Sequence, residues 1–117
     1  MISIYTKLII LVLLTEVICS CNTIDFDSKR WKNWSENNES EWNMRWDMSE
    51  DLINNVELKG KDTLEIFHLL GKESLNCFNN KCAISYSLGP CRRGIDYGTL
   101  ELTFTNGKVS NIYRHCN

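Results

Sequence analysis

Asn106-Gly107 restricts this chain more than any other feature. It separates two runs in which apolar and polar residues alternate. Asn-Gly is the strongest short-range signal for a two-residue hairpin with a type I′ turn, because both central positions need positive φ. Before it, residues 99–105 carry Leu100, Leu102 and Phe104 on one face. The turn sets the register, so Phe104 is expected opposite Val109 and Leu100 opposite Tyr113, all on one buried side. An earlier alternating run over 83–88 puts Ile84, Tyr86 and Leu88 on one face and supplies another strand. The expected sheet is a three-stranded antiparallel meander.

Two helices precede it. Met48, Leu52, Ile53 and Val56 recur near a spacing of 3.6, which predicts a short helix over 48–55. Residues 42–47 read as a short strand or a lead-in turn. Asp62 followed by Glu65 is a capping-box start to a second helix. Leu64, Phe67, Leu69 and Leu70, with Ile66 beside them, are expected to supply its buried face, and Gly71 its stop. Two short helices packed on a meander make an α+β domain.

The chain opens in a different register. Lys7 precedes the continuous apolar run Leu8-Ile9-Ile10-Leu11-Val12-Leu13-Leu14. This is the order of a signal peptide, and it is shorter than the about 20 apolar residues that span a bilayer. Glu16 interrupts it further. Ile18-Cys19-Ser20-Cys21 then resembles the bacterial lipobox, with Cys21 as the residue that takes lipid and becomes the new N-terminus. The competing reading is ordinary cleavage near Cys19 or Cys21 with a soluble secreted product. The expected division is a signal peptide over 1–20, a flexible tether over 21–41 and a domain over 42–117. The tether assignment rests on richness in Asn, Ser, Glu and Lys with few aliphatics.

An exported domain of just under a hundred residues buries roughly 60–65% of its unfolded surface, so staples are expected. Cys77, Cys82, Cys91 and Cys116 provide them. Four cysteines allow three pairings. Phe78-Asn79-Asn80-Lys81 can turn and bring Cys77 to Cys82, while Cys91 and Cys116 lie at strand ends that point the same way in a meander. Cys77–Cys82 with Cys91–Cys116 is therefore the favoured pairing, with the other two open. A metal site using His115 is the rival, and it lacks a Cys-x-x-Cys pair.

Chemistry-bearing groups are sparse. The net charge of −2 and the absence of a basic cluster beyond Arg92-Arg93 argue against a nucleic-acid partner. His115 and Cys116 are adjacent on a strand and point to opposite faces, so they do not form a nucleophile pair. The acidic residues Glu36, Glu39, Glu41, Asp47, Glu50 and Asp51 lack the turn glycine of a calcium loop and read as a solvated face. No small-molecule cofactor and no catalytic residue is expected. Trp31, Trp34, Trp42 and Trp46 remain: packing of a small core is the first reading, and a contact role as candidate binding residues the second.

Leu58-Lys59-Gly60-Lys61-Asp62, then Ile66, Leu69, Leu70 and Gly71, then the aromatic strand around Tyr86, resembles the small outer-membrane lipoproteins of the SmpA/OmlA (BamE) type. The resemblance covers residues 48–113. It implies two helices on a three-stranded sheet, an arrangement similar to the unit of the β-lactamase-inhibitor protein, and an envelope lipoprotein setting. The expected function is protein–protein binding by a lipid-anchored envelope protein with an unknown protein partner, facing the periplasm if the cell is Gram-negative. An inhibitor or immunity-type protein that blocks a secreted hydrolase or toxin is the alternative.

Overall fold

The computed structural model describes residues 24–91 and 96–117; the expected signal segment, Cys21 and Arg92-Arg93 lie outside them. The elements in order are α1 (Ser28–Lys32), a 3₁₀ turn (Glu39–Glu41), α2 (Met44–Asn55), α3 (Thr63–Leu70), β1 (Asn76–Phe78), β2 (Lys81–Cys91), β3 (Asp96–Thr105) and β4 (Lys108–Cys116). The fold is α+β, with an antiparallel sheet in the order β1-β2-β3-β4. The sheet thus has four strands rather than the expected three. The added strand comes from the Cys77–Cys82 segment. Asn79 and Asn80 take φ 50 and 65 and close a two-residue turn, which asparagine tolerates better than most residues. Three residues are too few to show an alternating pattern, so β1 left no trace in the sequence.

Helix α2 starts at Met44 and absorbs residues 44–47 of the segment expected to form a strand or turn, while Trp42 and Asn43 link it to the 3₁₀ turn. Met44, Met48 and Leu52 are four apart and all buried, one stripe down the helix. In α3 the Asp62 carboxylate accepts from the Glu65 backbone N–H at 2.9 Å, and Gly71 ends the helix at φ 95. Ile66 and Leu70 form its buried stripe, and Phe67 and Leu69 are half-buried. Leu64, expected in the core, is 77% exposed. It lies two residues from Ile66, about 200° around the helix.

The Asn106-Gly107 turn forms with φ 54 and 77, and Phe104 pairs with Val109 as expected. The register then slips: Thr103 pairs with Asn111, leaving Ser110 as an extra residue in β4. Such a bulge exchanges the two faces of a strand. Leu100 therefore faces Arg114 instead of Tyr113, Ile112 turns toward the core, and Tyr113 points outward at 42% exposure. Ser110 Oγ donates to the Thr103 carbonyl at 3.2 Å and holds the bulge.

Both disulfides join the expected pairs, Cys77–Cys82 and Cys91–Cys116. The first ties β1 to β2 beside their turn. The second ties the end of β2 to the end of β4 across β3, where Cys91 faces Asp96 and Cys116 faces Gly98.

The folded domain does not begin at residue 42. Residues 24–32, expected within a flexible tether, fill the gap between α2 and α3. The Ile24 N–H donates to the Asp47 carbonyl at 3.4 Å and the Phe26 N–H to the Asp51 carboxylate at 2.7 Å. Ser28 Oγ donates to the Leu69 carbonyl and Lys32 Nζ to the His68 carbonyl. With the Tyr86 hydroxyl on the Gly71 carbonyl, these contacts satisfy acceptors that the end of α3 leaves open. Trp31 is fully buried against Phe26 and Tyr86. One indole buries up to about 250 Å², which compensates for the scarcity of aliphatics that made the segment read as a tether.

Candidate interaction surface

The four tryptophans are mostly accounted for inside the fold. Trp31 is a core residue; its Nε1 has no hydrogen-bond partner among the described residues. Trp34 donates its Nε1–H to the Glu41 carbonyl at 2.9 Å, and Trp42 donates to the Glu36 carbonyl at 2.7 Å. Together they cross-brace the segment around the 3₁₀ turn. Trp46 lies under the Arg114 guanidinium, 4.5 Å from its ring centre. Arg114 also donates to Ser49 Oγ at 2.7 Å, which locks α2 to β4. Trp42 alone among the four reaches the exposed range, at 37%. Of the two readings of Trp31, burial selects core packing and removes it from the candidate binding residues.

Arg45 is the centre of this clamp. Its guanidinium sits 4.8 Å from the Trp31 ring centre and 4.6 Å from that of Trp34. Its Nε donates to the Trp31 carbonyl at 3.0 Å and Nη1 to the Ser87 carbonyl at 2.9 Å. Burial lowers its pKa to about 10, opposed by the charge of Glu73, so it stays protonated at neutral pH. Sequence reasoning passed over Arg45 because a lone arginine among acidic residues reads as surface charge.

Of the acidic stretch, Asp51 is committed to the Phe26 N–H and to Asn55 Nδ2, and these bonds hold its carboxyl below the usual range. Among the described residues no three His, Cys, Asp or Glu side chains gather in a way that would hold a metal. The Cys116 sulfur is bonded to Cys91 and so offers no thiolate to His115.

The helices cover one face of the sheet. Among the described residues nothing covers the other face, and the register specifies its occupants. Cross-strand neighbours there are Phe78 with Lys81, Glu101 with Tyr113, Thr99 with His115, and Thr103 with Asn111. Tyr97 lies on the same side of β3, and Ser85 and Ser87 on β2. Three aromatics stand out from this Ser/Thr field: Phe78 at 79% exposure, Tyr97 at 59% and Tyr113 at 42%. Tyr113 packs against the His115 ring at 5.8 Å between centres, and His115 Nε2 is 3.6 Å from Glu101 Oε2. Partial desolvation and then the Glu101 carboxylate raise the Tyr113 pKa, keeping its hydroxyl a neutral donor. Sequence reasoning placed Tyr113 on the buried side because the Ser110 bulge carries no turn glycine or proline to announce it.

No family model, curated protein or solved structure matches this chain.

Proposed function

We propose that this chain is an exported envelope protein, lipid-anchored at Cys21, that acts by protein–protein binding through the bare face of its sheet. The observation that carries this reading is one-sided cover: the helices enclose one face, while the other presents Phe78, Tyr97 and Tyr113 well exposed. Tyr set among Ser, Thr and Asn is the composition of adaptable recognition surfaces. The aromatic ring supplies contact area at small entropy cost and the short polar groups supply hydrogen bonds. The succession α2, α3 and sheet is the part of the fold in keeping with the SmpA/OmlA-type kinship that the sequence resemblance implies; α1 and β1 are additions to that pattern. In a Gram-negative cell that kinship puts the domain at the outer membrane, facing the periplasm.

The inhibitor reading has its own support. Cys77–Cys82 staples the Asn79-Asn80 turn and holds Phe78 beside it, a pre-ordered projection of the kind that enters an enzyme cleft at low entropic cost. Both readings use the same face.

The test is affinity capture from envelope extract with wild type, Tyr97→Ala/Tyr113→Ala and Trp42→Ala. A specific partner lost only in the double tyrosine variant, with unchanged circular dichroism, is the expected result. Retention of every partner by that variant rejects the sheet face. A true hot spot costs at least about 2 kcal/mol when truncated, roughly thirty-fold in affinity.

A further inference from the structure

The packed N-terminal segment has a consequence for how the domain sits on a membrane. We infer that the surface formed by Asp25, Glu50, Asn54 and Asn55 is held against lipid headgroups, with the bare sheet face turned away from the bilayer. The inference rests on the reading of Cys21 as the lipid-bearing residue.

The backbone is fixed to α2 from Ile24 onward, through the Ile24 N–H to the Asp47 carbonyl and the Phe26 N–H to the Asp51 carboxylate. Only three Cα steps separate Cys21 from Ile24. Fully extended they span at most about 11 Å. Acyl chains hold a lipidated cysteine at the edge of the hydrocarbon core, and the headgroup layer beyond it is roughly 5–8 Å thick. Ile24 therefore lies within or just above the headgroups. A tether of twenty residues would have let the domain face any direction; a leash of three does not.

What surrounds Ile24 decides which face is presented. Ile24, Asp25, Glu50, Asp51, Asn54 and Asn55 line one shallow depression. Asp25, Glu50, Asn54 and Asn55 are all exposed there. Carboxylates and amides keep this surface seated on the headgroups instead of sinking into the acyl region, where each charge costs about 2.5–3.5 kcal/mol on insertion scales. The covalent leash supplies the attraction. The leash leaves from the helical layer, since residues 24–32 lie between α2 and α3. The sheet is the second layer, and its bare face is the far side. That orientation leaves Tyr97 and Tyr113 free to meet a partner from the aqueous compartment.

The experiment uses the full-length protein, processed in cells and reconstituted in vesicles of phosphatidylethanolamine and phosphatidylglycerol carrying a headgroup nitroxide. A fluorophore is placed through Asn54→Cys or Ser85→Cys, both exposed positions on opposite layers. Several-fold stronger quenching at position 54 than at 85 is expected. Inserting ten Gly/Ser residues between Asn22 and Thr23 lengthens the leash by roughly 17 Å and should remove the contrast. Equal quenching at the two positions in protein whose intact mass carries the lipid overturns the orientation while leaving the anchor intact. An intact mass without lipid overturns the anchor reading, and the orientation falls with it.

Discussion

Arg45 takes a full positive charge into a nearly closed space, and two kinds of contact make that tolerable. Two indole faces offer their negative quadrupoles at 4.8 and 4.6 Å, and two backbone carbonyls accept its N–H groups. A cation over an aromatic face is worth about 0.5–2 kcal/mol, more as water is excluded. A planar guanidinium can stack on both rings while donating in its own plane; an ammonium cannot. Arg45→Lys is therefore expected to lose about 2 kcal/mol of stability, and Arg45→Ala about 3 kcal/mol because both carbonyls are left unpaired. Chemical denaturation reads both. A lysine variant as stable as wild type would show that charge alone, without planarity, holds the clamp. The same geometry makes Trp31→Ala a folding mutation costing about 3–5 kcal/mol, so it is no probe of binding.

At the level of elements, the C-terminal hairpin joins a turn that is strict to a strand that is not. A Cβ on Gly107 would meet no atom within 4 Å, so any penalty there is purely conformational. Gly107→Val forces a β-branched residue to φ 77 and is expected to cost more than about 1 kcal/mol. Thermal unfolding measures it; an unchanged midpoint would mean that the turn can be rebuilt without positive φ. Three residues later Ser110 breaks the pairing by one position. That single insertion takes Tyr113 out of the core and brings Arg114 in over Trp46. The bulge thus supplies both an exposed aromatic on the bare face and a latch between β4 and α2.

For the molecule as a whole, stability rests on a small core and two covalent ties of unequal reach. Cys91–Cys116 has a sequence separation of 25 and Cys77–Cys82 one of 5. Loop-closure entropy assigns about 3.5 kcal/mol to the first and about 2 kcal/mol to the second. In a domain whose total stability is on the order of 5–15 kcal/mol, losing the longer tie is serious. Cys91→Ser/Cys116→Ser should lower the denaturation midpoint markedly more than Cys77→Ser/Cys82→Ser. Equal losses would place the value of the Cys77–Cys82 bridge in native packing, where Cys82 contacts the core. The shorter bridge orders the turn that displays Phe78, so its removal should bear on binding more than on folding.

Local physics is legible in the sequence, and most of what was read correctly is local. The Asp62 cap, the Gly71 stop and the Asn106-Gly107 turn each depend on residues within four positions of one another, and each forms as the residues dictate. The disulfide partners also follow, because strand ends in a meander are ordered by the chain itself. What could not be read depends on contacts between distant residues. Residues 24–32 look polar and solvated until Trp31 finds Tyr86, 55 positions away in sequence by number and touching in space at 6.3 Å between ring centres. Arg45 looks like surface charge until two tryptophans close around it. Tyr113 looks buried until an unannounced bulge reverses its strand. Alternation, capping and turn chemistry determined α3, the C-terminal hairpin and the order of β2, β3 and β4. Only tertiary packing decided which tryptophans are core, which face stays bare and how close the fold comes to Cys21, because those outcomes depend on which side chains meet across the helix–sheet interface.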